Sequence, residues 1–418
     1  MPILVKIDGA RIEAQLARLA EITATPGAGV TRLPFSPEMR AAAVLLSELM
    51  AEAGMQVHTD ASGAVIGTLP GKSPDTLVIA SHYDTVLHGG AYDGIAGVVC
   101  GIEIAHVLAR TEPERPLTLR IVATNDEEGA RFGTGFFSAK AFLGQLAEDD
   151  LRTASDADST TLWDAMESWG LNPARLRDAA WDLSHVRAFF EIHIEQGPVL
   201  ERERAELGVV SGIVGMCRRM VTVHGATGHA GTVPMDCRCD AVEIAAKCIS
   251  QVGDIARRFE GAVATVGHIT VSPNAINTIA DSVSFSLDTR SLDAEAVETI
   301  NRLIDDELRR LEIRSGAWTE SVTTLCQPSS PMHPELQRLL LRCARERGRS
   351  VRVLPSGAGH DSLPMAAAVP TAMLFVPSRG GVSHCPEEWS SPVHLAHAAE
   401  VLLDAVKTLM EVDKNELS

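Results

Sequence analysis

No stretch of this 418-residue chain reaches the ~18 uninterrupted apolar residues that a membrane-spanning helix needs. The first residues, Met1-Pro2-Ile3-Leu4-Val5-Lys6-Ile7-Asp8, lack the basic start and apolar core of a secretory signal. A cytoplasmic location is the expectation. Positive charge is in deficit: 37 Lys and Arg face 55 Asp and Glu, for a formal net charge of −18. Such a chain repels nucleic acid and anionic membrane, and neither is expected as a partner. A small anionic substrate is not excluded, because a few local arginines bind a carboxylate inside an acidic protein. The 8 cysteines are scattered, and without a secretion signal they read as reduced thiols. Cys237-x-Cys239 has no second cysteine pair nearby, so a zinc knuckle is not expected. Internal repeats and low-complexity tracts are also missing.

What is present suits a packed globular protein. Hydrophobic residues make up 45% of the chain, and its length favours two domains. The rest is organised around Ile79-Ala80-Ser81-His82-Tyr83-Asp84-Thr85-Val86 and Ala91-Tyr92-Asp93-Gly94. An apolar run, Leu77 to Ala80, reads as a buried strand ending in His-x-Asp. A Gly-rich turn follows, and Asp93 opens an apolar segment, Ile95 to Leu108, that reads as a helix. One strand–loop–helix unit thus delivers an imidazole and a carboxylate to one place. Asp84 is placed to hold the free imidazole N–H of His82 and so fix its tautomer. Taken alone, Asp93 reads equally well as a helix cap and His82 as an ordinary strand-end residue.

The chain in order shifts that balance. Residues 10–24 and 36–54 have apolar positions at helical spacing, the second with Ser36 as N-cap and Pro37 at the first helical position. Strands are expected around Val57 and at 64–67, 117–124 and 187–194. The second-last ends in Asn125-Asp126-Glu127-Glu128-Gly129 and the last in His193-Ile194-Glu195-Gln196-Gly197. Residues 145–187 look like a polar insertion that covers something. After Gly208 the texture changes to β-α-β-β-α-β, with a strand at 263–271, over about residues 211–328; this is the split ferredoxin-like pattern. From His333 the first texture resumes, with His384 in the loop 377–388. In open α/β sheets the ligand crevice lies outside the carboxyl ends of the strands. His82, Glu127/Glu128, His193 and His384 all fall at such ends.

The set His82, Asp93, Glu128, His193 and His384 offers imidazole and carboxylate without thiolate, which suits zinc or manganese and admits cobalt or nickel. Five ligands exceed one tetrahedral site that keeps a position open. They match two divalent ions sharing a carboxylate, ~3.5–4 Å apart. Glu127, next to a ligand, is placed as the general base that takes a proton from the activated water and passes it to a leaving nitrogen.

These stretches, together with Glu191-Ile192-His193-Ile194-Glu195-Gln196-Gly197-Pro198-Val199-Leu200-Glu201, Gly228-His229-Ala230-Gly231-Thr232-Val233-Pro234-Met235, Ser356-Gly357-Ala358-Gly359-His360-Asp361 and Ser383-His384-Cys385-Pro386-Glu387-Glu388, resemble the hydantoinase/carbamoylase group of amidases. That group comprises N-carbamoyl-L-amino-acid hydrolases and allantoate amidohydrolases, within the wider superfamily of dinuclear aminoacylases and carboxypeptidases. The resemblance runs from about residue 10 to 410. It implies an α/β fold: a catalytic domain with a mixed, mostly parallel sheet (residues 1–210 and 329–418) and an inserted ferredoxin-like α+β lid and dimerisation domain (211–328). It implies a homodimer and hydrolysis of a ureido C–N bond, releasing carbon dioxide and ammonia.

By the same resemblance, one ion takes His82, Asp93 and His193 and the other Asp93, Glu128 and His384. His229 steadies the developing oxyanion, reaching the site of the other subunit. Arg218, Asn277 and Arg290 hold the substrate carboxylate, and Gln196 and His360 line the site. Where the family often has Gln-Arg-Arg, this chain has Met216-Cys217-Arg218, a difference that touches substrate recognition. N-carbamoyl-L-amino acids are the expected substrates, with allantoate and 3-ureidopropionate as alternatives of the same chemistry. A non-catalytic binding protein on this fold would have lost Glu127 or a ligand, and all are present.

Overall fold

A computed structural model describes residues 6–411, which fall into two units. The first comprises residues up to Ser211, Met332–Leu354 and those from Gly359 on; the second comprises Gly212–Pro331 and Pro355–Ala358.

The first unit is built on one mixed sheet. Its strands run in the order Gln56–Thr59, Val65–Leu69, Thr118–Thr124, Thr76–His82, Val186–Ile194, Thr371–Val376 and Leu207–Ile213. The middle four are mutually parallel and the flanking pairs antiparallel. Successive residues of a strand point to opposite faces. Leu77 and Ile79 enter the larger core, under the helices Ile95–Thr111 and Pro392–Glu411; Val78 and Ala80 enter a smaller cluster with Phe142, Phe189 and Met365. With both faces covered, the central strands are mostly apolar and almost wholly buried, as parallel strands require, with polar residues such as Glu191 and His193 towards their carboxyl ends. The helix Pro37–Glu52 starts as expected, with the Ser36 hydroxyl accepting from Met39 N–H and Pro37 at the first position.

Segment 145–187 packs on the main core of the first unit. It forms short helices at Glu148–Thr153 and Leu162–Ser168 and a 3-10 turn at Pro173–Ala179. Leu151, Leu162, Met166 and Leu176 pack into the main core. Its polar composition hid these anchors, because only one side of each short element is buried.

The second unit is a four-stranded antiparallel sheet with two helices, Ala241–Ala256 and Ala294–Ser315, on one face. From one edge the strands are Trp318–Gln327, Gly215–His224, Ser282–Ser291 and Ile269–Ser272, the ferredoxin-like order. Val221, Val223, Phe285 and Leu287 face the helices and form a core with Ile244, Val252, Ile300 and Ile304. The strand expected over 263–271 is broken into Val263–Thr265 and Ile269–Ser272. The N–H groups of Gly267 and His268 donate to the Ser286 hydroxyl instead of to a ladder carbonyl. A side-chain acceptor competing with the backbone interrupts the strand there.

One contact positions the helix Ile95–Thr111 against the His193 strand. A Cβ built on Gly97 would lie 2.0 Å from the Ile192 carbonyl oxygen. Gly97→Ala is therefore expected to destabilise the protein by about 1–3 kcal/mol or more, read as a lower urea midpoint with unchanged slope. An unchanged midpoint would show that the helix tolerates being lifted off the strand.

Candidate metal centre and substrate residues

Four loops meet at the carboxyl ends of the parallel strands. The strand Thr76–His82 ends on His82, and the strand Val186–Ile194 presents His193 one residue before its end. Asp93 precedes the helix Ile95–Thr111 across Gly94, whose φ of 64° is left-handed. A Cβ at Gly94 would lie 2.4 Å from the His82 ring, so only glycine lets this loop close over the imidazole.

The tautomers follow from the hydrogen bonds. His82 Nδ1 lies 3.0 Å from the Asp84 main-chain carbonyl, and His193 Nδ1 lies 2.9 Å from that of Ile194. A carbonyl only accepts, so Nδ1 carries the proton and each neutral ring turns a bare Nε2 inward. These two Nε2 atoms face one another at 3.4 Å. Two lone pairs so placed repel unless a cation or proton accompanies them. Asp93 Oδ1 is 3.4 Å from His193 Nε2. Its Oδ2 is 3.1 Å from His384 Nε2, which is 3.2 Å from Glu128 Oε1. Among the described residues, four donor groups have ligand atoms within 4.8 Å of one another: His82–Asp93–His193, Asp93–Glu128–His384, His82–Glu127–Glu128 and Glu191–His193–His360; the first two share Asp93. Asp93 offers one oxygen to each of those two.

Asp84 plays another part than the one expected. Its main chain, not its carboxylate, takes the His82 proton; Oδ1 is 3.8 Å from Nδ1. The carboxylate accepts instead from the N–H groups of Glu127 and Glu128, both at 3.2 Å. The sequence spacing put Asp84 on the right face but did not show that the next loop would claim it. Through these bonds Asp84 fixes the main chain of the Glu127–Glu128 turn.

The electrostatics of the pocket favour added positive charge. Burial disfavours a charged His82, yet Asp84, Asp93 and Glu128 outweigh it and push its pKa up to about 9. Hydrogen bonds to Asp93 and Glu128 push His384 up to about 10. Burial is also the first cause of the large upward shift of Glu127, followed by the charges of Glu128, Asp361, Asp84 and Glu191. Glu127 Oε2 stands 4.0 Å from His82 Nε2. Burial and neighbouring carboxylates raise the proton affinity of a carboxylate, the direction that brings it towards exchange with water near neutral pH.

Gln196 and His360 line the same place. Gln196 Nε2 donates to Asp93 Oδ1 at 3.0 Å and lies 3.3 Å from His384 Nε2. The buried His360 ring meets His193 edge-on at 4.4 Å, and burial keeps its pKa well below the usual imidazole value. The spacing gave no warning of three further buried carboxylates: Glu191, Asp361 and Glu388. Glu191 accepts from the Ser81 and Ser362 hydroxyls, and Asp361 from Thr124.

The remaining expected residues lie in the second unit. Arg218 and Arg290 both grip Asp288, which faces Arg218 across the ladder: Arg218 Nε and Arg290 Nε donate to it at 2.9 and 2.8 Å. Arg290 also donates to the Gly357 carbonyl at 2.7 Å. Two guanidinium groups on one carboxylate leave a net positive patch lining a cavity of about 660 Å³. His229 and Asn277 form a separate pair, in a two-residue ladder between Gly228–His229 and Thr278–Ile279 and its flank. Gly231 N–H donates to His229 Nδ1 at 3.0 Å, so the neutral ring carries its proton on an exposed Nε2. Within one copy, Asn277 does not join the arginines. Arg218 lies six ladder positions and Arg290 eight, about 20 and 26 Å at ~3.3 Å per residue, from the Ser282–His224 end that leads to Asn277.

Fold and donor set together define a metallohydrolase-type α/β protein. The comparisons agree: residues 68–408 match the model of peptidase family M20/M25/M40, and the chain belongs to that family. It is 38% identical over 415 residues to the N-carbamoyl-L-amino-acid amidohydrolase of Paenarthrobacter aurescens, covering 97% of this chain and 99% of that one. It is 34% identical to the allantoate amidohydrolase of Escherichia coli (strain K12), covering 94% and 95%. Its fold matches a hydantoinase/carbamoylase family amidase from Burkholderia ambifaria with a TM-score of 0.90 at 33% identity, over 97% of this chain and 98% of that one. Among the described residues, no helix is long and apolar enough to cross a membrane.

The raised pKa values of His82 and His384 make both rings protonated at neutral pH when no cation is bound. Metal must displace those protons, so affinity is expected to rise with pH up to about 9 for the group holding His82 and about 10 for the group holding His384. Calorimetric titration of metal-free protein with manganese at neutral pH, in two buffers of different ionisation enthalpy, should give different apparent enthalpies. Equal enthalpies would show that no protons leave these rings.

Proposed function

We propose that this chain is a dinuclear metal-dependent amidohydrolase that cleaves the ureido C–N bond of N-carbamoyl-L-amino acids, giving the amino acid, carbon dioxide and ammonia. The observation that carries the reading is the pair of donor groups sharing Asp93, with a proton-holding Glu127 beside them. His82, Asp93 and His193 would hold one ion and Asp93, Glu128 and His384 the other; zinc or manganese fits, and cobalt or nickel is compatible. Such ions supply Lewis acidity that polarises a carbonyl and acidifies water.

The chain's own groups do the rest. Glu127 accepts a proton from water and returns it to the leaving nitrogen. His229, with its proton on Nε2, donates to the carbonyl oxygen as negative charge grows there. The Arg218–Arg290 patch holds the substrate carboxylate, a role suited to guanidinium. Asp84 keeps Glu127 and Glu128 at their stations.

A homodimer is part of the same reading. A small substrate cannot span the ~20–26 Å of ladder between the arginines and the end leading to His229 and Asn277. A second copy that supplies one of the two sets removes the difficulty. The edge strand Trp318–Gln327 is exposed along nearly its whole length, a form that pairs with another chain. The free thiols fit a reducing compartment, the cytoplasm.

Allantoate hydrolysis is the second reading, favoured by the likeness to enzymes of that name. Ammonia release from N-carbamoyl-L-amino acids, allantoate and 3-ureidopropionate, with manganese or zinc added, separates the readings; release from none of them would reject both. Glu127→Gln should retain the ions and lower kcat by about 10²–10⁴-fold, and a near-normal kcat would remove it as base. Arg290→Ala should raise KM for the carboxylate substrate, and an unchanged KM would place that carboxylate elsewhere. Sedimentation at micromolar concentration should show a dimer, and monomer alone would contradict the shared site.

A further inference from the structure

Glu388 lies four residues beyond His384, buried, and joins two loops that are far apart in the chain. Its Oε1 accepts from the N–H groups of Tyr92 at 3.1 Å and Asp93 at 3.0 Å. Its Oε2 accepts from the Ser383 hydroxyl at 2.7 Å and from His384 N–H at 3.3 Å. The Asp93 loop closes tightly onto it: a Cβ on Gly90 would lie 2.0 Å from Oε1. With donors on both oxygens the carboxylate is engaged by backbone and hydroxyl, not turned to the donor groups themselves.

His384 needs such a tether. The His82 and His193 rings are packed inside the protein, but the His384 side chain is 47% exposed and its backbone is left-handed at φ 58°. Packing encloses this ring less than the other two, and a left-handed non-glycine residue is strained unless its surroundings impose it. The Glu388 bonds to Ser383 and His384 impose it, and the same carboxylate fixes Asp93.

We propose that Glu388 is a positioning residue that sets Asp93 and His384 at their mutual distance and thereby determines the affinity of the Asp93–Glu128–His384 position for its ion. The inference rests on the metal centre proposed above. It separates the two positions: the ion at His82–Asp93–His193 keeps two buried imidazoles fixed by main-chain carbonyls, whereas its neighbour depends on the Glu388 tether.

Stepwise titration of metal-free protein with manganese or zinc, by chelator competition, tests this without reference to turnover. Glu388→Gln keeps the shape but turns an NH2 group towards donors that need an acceptor. One of the two binding steps should weaken by about 10–100-fold, as for other groups that orient metal ligands, with the melting temperature of the metal-free protein little changed. Ser383→Ala, which removes a single bond of the tether, should weaken the same step by a smaller factor, and it carries the test if Glu388→Gln fails to fold. Binding constants within about twofold of wild type in a folded variant would overturn the inference, as would equal weakening of both steps. Wild-type protein that takes up no ions would instead overturn the metal centre, and this inference with it.

Discussion

A single carboxylate shared between two clusters of donors governs the architecture of the site. Asp93 can face His193 with one oxygen and His384 with the other only if three loops arrive within a few ångströms of it. The parallel strands Thr76–His82, Val186–Ile194 and Thr371–Val376 make that possible, because in-register parallel pairing brings their carboxyl ends to one edge. Close approach does the rest. Gly94 lets the Asp93 loop fold over the His82 ring, and Gly97 lets the following helix sit on the His193 strand.

Buried carboxylates that touch no substrate knit these loops together. Asp84 holds the Glu127–Glu128 turn, Glu388 joins the Asp93 and His384 loops, and Glu191 ties Ser81 to Ser362. Each spans elements more than 40 residues apart in sequence by accepting N–H or O–H donors on both oxygens. The cost is a crowded, negative pocket: burial first and neighbouring carboxylates second raise the proton affinities of Glu127 and Asp84, and carboxylates raise that of His82 against its burial. Divalent cations relieve that charge, so the scaffold and the ions stabilise one another.

Much of this was legible in the sequence. His82, Glu128, His193 and His384 follow or end strands and Asp93 opens a helix, and such positions in an α/β sheet are ones that sequence pattern can fix. The ferredoxin-like order of the second unit could be read from alternating strands and amphipathic helices. Hydrogen-bond partners chosen by tertiary structure could not. Asp84 sits two residues from His82 but bonds a loop 43 residues away. Glu388 bonds main-chain groups of Tyr92 and Asp93, 296 and 295 residues away. Asp288 shares a strand face with Arg290, but its bond to Arg218 depends on the pairing of two strands 70 residues apart. The break at Gly267 and His268 depended on one serine hydroxyl, and the anchors of segment 145–187 were too widely spaced to show a period.

The central claim is that Asp93 joins two cation positions. Anomalous diffraction from crystals grown with zinc or manganese tests it most directly. The account predicts two peaks about 3.5–4 Å apart, one on each side of the Asp93 carboxylate, the first against His82 and His193 and the second against Glu128 and His384. One peak alone, or peaks remote from Asp93, would contradict it.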